Sequence, residues 1–325
     1  MRITVLTNVE HEGDKELDPV VKQVAAALRK KKHQVSILAV HADVKKLVGG
    51  LMRRKPDLVF NLLEEFGDDS NGNIAVCGLL DLLGVHYTGC GPGEYYLGQD
   101  KALAKRILAF EEILFPKFAV FTREKGLETG GNLRLPLFVK PVAQDASIGI
   151  GKKSLVRDST QLMERVLAIH KDHDDAALAE EFIDGREFYV GVLGNNDNAQ
   201  ALPPIEADFS KLPEGAPKVY DRNAKWEPGT VEYNSVKTAV ADVPDELRAR
   251  LQKVSLDAYR ALRVRDYGRV DLRVADTGEI YVLEVNASCY LEKHDEFATA
   301  AAATGIDYVE LVNRIAELAM TRQKR

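Results

Sequence analysis

The chain has 325 residues, 45% of them hydrophobic and 29% charged, with a formal net charge of −6. That length predicts two or three domains, and the composition excludes a disordered or fibrous chain. The negative balance argues against a dedicated nucleic-acid binder, and no apolar run is long enough to span a membrane.

The opening run "RITVLTN" predicts a strand, not a signal peptide. "PVVKQVAAALRKKKH" has apolar residues at helical spacing and a basic end that suits a helix C-terminus. "QVSILAV" predicts a strand, "DVKKLVGGLMRRK" a helix, "PDLVFNLL" a strand and "IAVCGLLDLLG" a helix, and "VHYTGC" closes the unit. Strands alternating with helices imply a parallel sheet covered on both faces. No G-x-G-x-x-G follows the first strand, so no dinucleotide is placed there. "DKALAKRILAFEEI" predicts a helix capped by Asp100. Strand-like runs and turns follow: "LFVKPV", "SLV", "ALAEEFI" and "FYVGVLGNNDNAQALP", with "GNNDN" a hairpin turn. Residues 206–239 are punctuated by Pro and Gly and predict a long, functional loop. A helix, "PDELRARLQKVSLDAYRALRV", precedes two strands, "YGRVDLRVA" and "EIYVLEVN", joined at "DTG"; "DYVELVNRIAELAMTRQ" is the last helix. Cys77, Cys90 and Cys289 lack metal-site spacing and are expected to be reduced, buried thiols of a cytosolic protein.

Several residues carry chemistry. Glu284 and Asn286 are two apart on one strand and so share a face, with Asp271 a hairpin's reach away. Two carboxylates and an amide oxygen form a hard, all-oxygen set that suits Mg²⁺ rather than zinc. Taken alone, "EVN" reads rather as a solvated edge pair on a hairpin. Lys140 ends the apolar run "LFVKP", where a lysine either snorkels outward or meets a phosphate. "VAQDASIGIGKK" is a small-residue loop whose backbone can approach phosphate oxygens. "ALAEEFIDGREF" ends a strand in Glu180 and Glu181, followed by Phe182, Ile183 and Glu187, either a surface edge or acceptors for an adenine amine and ribose hydroxyls.

The order of these pieces resembles the ATP-grasp superfamily, and within it the D-alanine–D-alanine ligases, over nearly the whole chain. "HYTGCGP…QDK", "VKPVAQDASIGI", "EEFIDGREFYVGVL", "VYDRNAKW", "YGRVDLRV" and "VLEVNAS" are similar to that family's motifs. The resemblance implies a three-domain ATP-grasp fold, α/β overall and α+β towards the C-terminus. It comprises an N-terminal parallel-sheet domain (1–98), a central subdomain (99–185) and a C-terminal subdomain (186–325) with a mobile loop at about 206–239. It implies that Lys101 and Lys140 bind ATP phosphates. Phe138 is a further ATP-binding residue, Glu180, Glu181, Phe182 and Ile183 line the adenine pocket, Glu187 holds the ribose, and Lys225 reaches the terminal phosphate. Asp271, Glu284 and Asn286 hold two Mg²⁺ ions, replaceable by Mn²⁺. Arg269 sits over the reacting carbonyl, and Ser147 and Lys225 complete the catalytic set. The implied reaction is ligation through an acyl phosphate, by a cytoplasmic homodimer acting on small amino-acid-like substrates, with neither nucleic acid nor membrane as a partner.

The sequence also departs from that family. Ala146 stands where the family has a serine, preceded by Gln144 and Asp145, and Trp226 replaces a tyrosine. Glu10, Glu12 or Glu16 can stand for the family's N-terminal glutamate, with Glu12 taken as the candidate substrate contact. Cys289 and Tyr290 replace Pro-Gly, and Asp295 and Glu296 replace the Ser-Leu pair that meets the acceptor carboxylate. Two acids there either select a cationic or donor-rich acceptor or start the next helix and face solvent. The expectation is a ligase with a substrate pair other than two D-alanines. The alternatives are a D-alanine–D-alanine ligase proper, an ATP-grasp kinase, and a non-catalytic ATP-binding protein.

Overall fold

A computed structural model of the chain describes residues 1–67, 69, 71–124, 126–129, 132–144, 147–213, 218–220, 227 and 229–322. β1 (Arg2–Asn8) is buried from residue 3 to 7 and therefore takes the centre of a sheet. Following it are α1 (Pro19–Lys30), β2 (Gln34–Val40), α2 (Val44–Arg54), β3 (Leu58–Asn61) and α3 (Gly72–Leu82). The strands lie parallel in the order β2-β1-β3. Asp18 and Asp43 start α1 and α2 by accepting from the N–H groups of Val20 and Lys46, and basic pairs end both helices. "VHYTGC" closes this unit through a parallel bridge between Val59 and Tyr87. There the Thr88 hydroxyl accepts from the Asn61 N–H at 2.9 Å, so a side chain replaces the next ladder bond.

α4 (Pro92–Gln99) meets α5 (Lys101–Phe110) at Asp100, which caps α5 by accepting from Leu103 N–H at 2.8 Å. The second sheet contains β4 (Phe118–Thr122), β5 (Gly126–Thr129), β6 (Leu137–Pro141), β7 (Leu155–Val156) and β8 (Ala177–Glu181), in the order β5-β4-β8-β6-β7. The sequence reading has strands alone here, but α6 (Ser159–Asp172) covers one face. Its signal is the Asp158 cap, which accepts from Gln161 N–H, and the helical spacing of Leu162, Val166 and Ile169.

The third sheet contains β9 (Arg186–Leu193), β10 (Gln200–Ala201), β11 (Ile205–Asp208), β12 (Lys237–Val240), β13 (Tyr267–Val274) and β14 (Ile280–Asn286). Its order is β12-β11-β9-β13-β14, with β10 beside β9. Residues 206–239 are thus not loop throughout. β11 and β12 pair from Ile205–Val240 to Asp208–Lys237, and α7 (Val231–Ser235) lies between them. Both strands have only four residues, too few for alternation to establish a period. α8 (Asp245–Ala261) brings Leu251, Ala258 and Tyr259 onto one face, against Val190, Val192, Val270, Leu272 and Val282. α9 (Glu296–Ala302) packs at the other side, where Phe297 meets the Tyr267 ring edge-on at 5.9 Å, and α10 (Tyr308–Thr321) lies against α1 and β3. Gly191 is needed there, since a Cβ would fall 2.8 Å from the Phe297 ring.

Candidate active site

The face of the third sheet opposite α8 carries a grid of polar side chains set by register. On β13, Arg269, Asp271 and Arg273 share one face. Across from them on β9 stand Gly191, Tyr189 and Glu187, and on β14 Asn286 pairs with Arg269 and Glu284 with Asp271. A bulge between Asp271 and Leu272 leaves Leu283 without an opposite number. Val282 and Val285 therefore both stay buried while Leu283 and Glu284 line the cleft.

The facing wall belongs to the second sheet. Phe138 pairs with Glu180 across β6 and β8, and Lys140 lies two residues further on the same face. Lys101 and Lys105, one turn apart on α5, back this wall without lining the cleft. Between the walls lies an open cleft of about 680 Å³, bounded by Phe138, Lys140, Ile183, Asp271, Leu283 and Glu284.

Ion pairs knit the walls together. Lys101 Nζ reaches Glu284 Oε1 at 3.1 Å and donates to Gln144 O at 2.7 Å. Glu180 is held on both oxygens, by Lys105 at 2.6 Å and Lys140 at 3.0 Å. Burial pushes its carboxyl up, but the two ammonium groups outweigh burial and hold it below the usual range. Burial lowers Lys105, which also donates to Leu283 O at 3.2 Å. Arg269 forks onto Asp271 at 2.8 and 3.1 Å, reaches Glu296 at 3.4 Å, and lies 5.2 Å over the Tyr189 ring. Burial opposes its charge, yet Asp271 and Glu296 carry its pKa well above the ordinary value. Arg273 donates to Glu187 at 3.0 Å and to Ile183 O at 2.9 Å, and stacks 5.2 Å from Phe182. Tyr189 donates its hydroxyl to the other oxygen of Glu187.

Most of the expected site residues meet in this cleft: Phe138, Lys140, Ser147, Glu180, Glu181, Phe182, Ile183, Glu187, Asp271 and Glu284 line it. Glu180 and Glu187 arrive with partners already in place. Lys225 and Trp226, like Asp145 and Ala146, lie outside the described residues. Glu12 lines neither this cleft nor the next one and pairs with Lys46 on α2. Tyr290 lines a second cleft of about 330 Å³ between the end of β3 and the turn after β14, with Glu64, Tyr95 and Ser288. Its hydroxyl donates to Asp18 at 2.8 Å. Asp295 and Glu296 do start α9, but the solvent-facing alternative fails: Glu296 is 5% exposed and turned to Arg269. Burial, then Glu296, pushes Asp295 up to about 8. Cys77, Cys90 and Cys289 are free and buried, and burial raises each thiol out of the reactive range.

Lys105, Arg273 and Tyr189 are absent from the sequence reading. Lys105 had a signal, four residues after Lys101 on a predicted helix; Arg273 had one too, two residues beyond Asp271 on a predicted strand.

A divalent metal fits the donor set. Among the described residues no three His, Cys, Asp or Glu side chains form a metal cluster. Asp271, Glu284 and Asn286 offer oxygens only, suited to a hard cation that takes its remaining ligands from phosphate and water. The amide nitrogen of Asn286 is buried with no hydrogen-bond partner. Amide nitrogen and oxygen are assigned rather than distinguished, so an oxygen suits that position as a cation ligand would require.

The family profile described as "D-ala D-ala ligase C-terminus" matches residues 107–317. The chain is 33% identical over 271 residues to the uncharacterized protein y4sG of Sinorhizobium fredii, covering 83% of this chain and 77% of that one. It is 32% identical over 308 residues to the D-alanine–D-alanine ligase of Desulfotalea psychrophila, covering 93% and 89%. In fold it is similar to the D-alanine–D-alanine ligase of Bacillus anthracis complexed with ATP, with TM-score 0.78, 24% identity, and 98% and 97% coverage. The VanG D-Ala:D-Ser ligase of Enterococcus faecalis gives TM-score 0.73 at 22% identity over 98% and 99% of the two chains. The chain therefore belongs to the D-alanine–D-alanine ligase family of ATP-grasp enzymes, ADP-forming ligases that use ATP and a divalent metal.

Proposed function

We propose that the protein joins an amino-acid carboxylate to an amine through an acyl phosphate, with a substrate pair other than two D-alanines. The observation that carries this is the opposition of two walls. Lys140 faces Asp271 and Glu284 across one cleft, with Lys101 paired to Glu284 and Arg269 to Asp271. Lys101 and Lys140 bind the phosphates. Phe138, Phe182, Ile183 and Leu283 enclose the base, with the main chain of Glu181 to Ile183 beside it. Glu187 accepts from the ribose hydroxyls, and Lys225 and Ser147 meet the terminal phosphate. Asp271, Glu284 and Asn286 hold two Mg²⁺ ions, which, when bound, neutralise charge on the phosphate oxygens.

The first carboxylate forms a bond to the γ-phosphorus as the bond to the β-phosphate oxygen breaks and ADP leaves. The amine then adds to the acyl carbon, the C–O bond to phosphate breaks, and its surplus proton passes to solvent. Arg269 stabilises the oxyanion of that second step, since its guanidinium is held in place before charge develops. The acyl phosphate must be kept from water, and segment 206–239 is the covering element. ATP as co-substrate places the reaction in the cytoplasm, and no helix among the described residues is long and apolar enough to cross a membrane. The homodimer expected from the resemblance remains part of this proposal.

The acceptor end separates this chain from a D-alanine–D-alanine ligase proper, the second reading, which the names of its relatives favour. Glu296, turned to Arg269, and the raised Asp295 offer a hydrogen-bonding acid cluster where the family has Ser-Leu. A phosphate-release screen with Mg-ATP across D- and L-amino acids, singly and in pairs, tests the proposal. A pair-dependent signal with a new amide by mass supports it. Release with D-alanine alone selects the second reading, and ATP consumption without free phosphate refutes ligation.

A further inference from the structure

We propose that Lys105 is a resident counter-ion for Glu180, which frees Lys140 to exchange its carboxylate partner for the nucleotide phosphates. This rests on the assignment of Lys140 to the phosphates.

The geometry separates the two lysines. Both bind Glu180, one on each oxygen. Lys105 comes from α5, is 2% exposed, and is fixed further by Leu283 O and by the Phe115 ring at 5.8 Å. It does not line the cleft, whereas Lys140 does. Glu180 is only 3% exposed, so water cannot replace a departing ammonium. A buried carboxylate that loses its sole cation is strongly destabilised. With Lys140 as the only partner, ATP binding would have to break that pair. With Lys105 on the other oxygen, Glu180 stays compensated when Lys140 swings to phosphate. The charge count agrees: two lysines and one glutamate leave one positive charge, which is what Lys140 carries to the ligand. Removing Lys105 leaves none, and removing both Lys105 and Glu180 restores it.

The test is Mg-ATP binding by calorimetry on the full chain, with K105M, E180Q, K105M/E180Q and K140M. We expect K105M to weaken binding at least about tenfold, and K105M/E180Q to bind within about threefold of E180Q alone. A loss that came from mere packing would persist in the double variant. The proposal is overturned if K105M binds like wild type, or if the double variant is weaker than E180Q by as much as K105M is weaker than wild type. Should K105M fail to fold, the comparison of K105M/E180Q with E180Q decides alone, because the double variant restores the charge balance. If K140M binds Mg-ATP like wild type, the phosphate role of Lys140 is what has failed.

Discussion

Replacing Arg269 with Met removes a buried cation from between two acids. The guanidinium is held at 2.8 and 3.1 Å by Asp271 and at 3.4 Å by Glu296, with its side chain 12% exposed. Taking one partner from a buried pair costs about 3–5 kcal/mol, because the carboxylates left behind cannot find water. The thermal midpoint should therefore fall. Loss of a preorganised oxyanion donor lowers kcat by about 10²–10³, or about 2.7–4 kcal/mol of barrier. Arg269→Lys keeps the charge but loses the fork onto Asp271, so it should fall between the two. The assay is phosphate release at saturating Mg-ATP with the substrate pair found by screening, beside a melting curve for each variant. If Arg269→Met melts earlier yet keeps kcat within about threefold of wild type, the arginine holds the fold and takes no part in the chemistry.

Three further outcomes follow from the same geometry. Asp295 has a folded pKa raised from 3.8 to about 8, so the protonated fold is favoured and that contribution is whole below pH 3.8 and lost as pH climbs through about 8. Asp295→Asn should leave stability at pH 4 nearly unchanged and raise it at pH 8; equal melting curves at pH 8 would contradict the burial of this acid beside Glu296. Gly185 has φ +143°, and a Cβ there would lie 2.0 Å from the Val274 carbonyl oxygen. Gly185→Ala should destabilise by about 1–3 kcal/mol or more and raise KM for ATP, because the turn carries Glu181 to Glu187 past the base pocket; unchanged stability refutes the close approach. Arg273→Met should raise KM for ATP with a smaller change in kcat, since Glu187 and the Ile183 carbonyl lose their common donor; an unchanged KM would show that the nucleotide does not depend on this clamp.

The residues that share a short, regular spacing were the ones legible in the sequence. Glu284 and Asn286 two apart on a strand fixed a common face, and the Asp100 cap placed Lys101 at a helix start before any coordinates. What could not be read was which strand lies beside which. Tyr189 enters the site only because β9 pairs with β13, some eighty residues away along the chain, and no local period encodes that. The bulge at Leu283 was hidden for the same reason, as it exists only in the pairing of two strands. Asp295 and Glu296 could be placed at a helix start but not oriented, because their burial is decided by Arg269 arriving from another element. The four-residue strands at the two ends of segment 206–239 were too short for alternation to show.

The central claim is that one cleft clamps the triphosphate between Lys101 and Lys140 on one wall and Asp271, Glu284 and Asn286 on the other. A crystal grown with Mg²⁺ and a non-hydrolysable ATP analogue tests it most directly. The expected density has the base against Phe182 and Leu283, and metal within ligand distance of all three oxygen-bearing side chains. Nucleotide bound outside the cleft, or metal held by other residues, would contradict it.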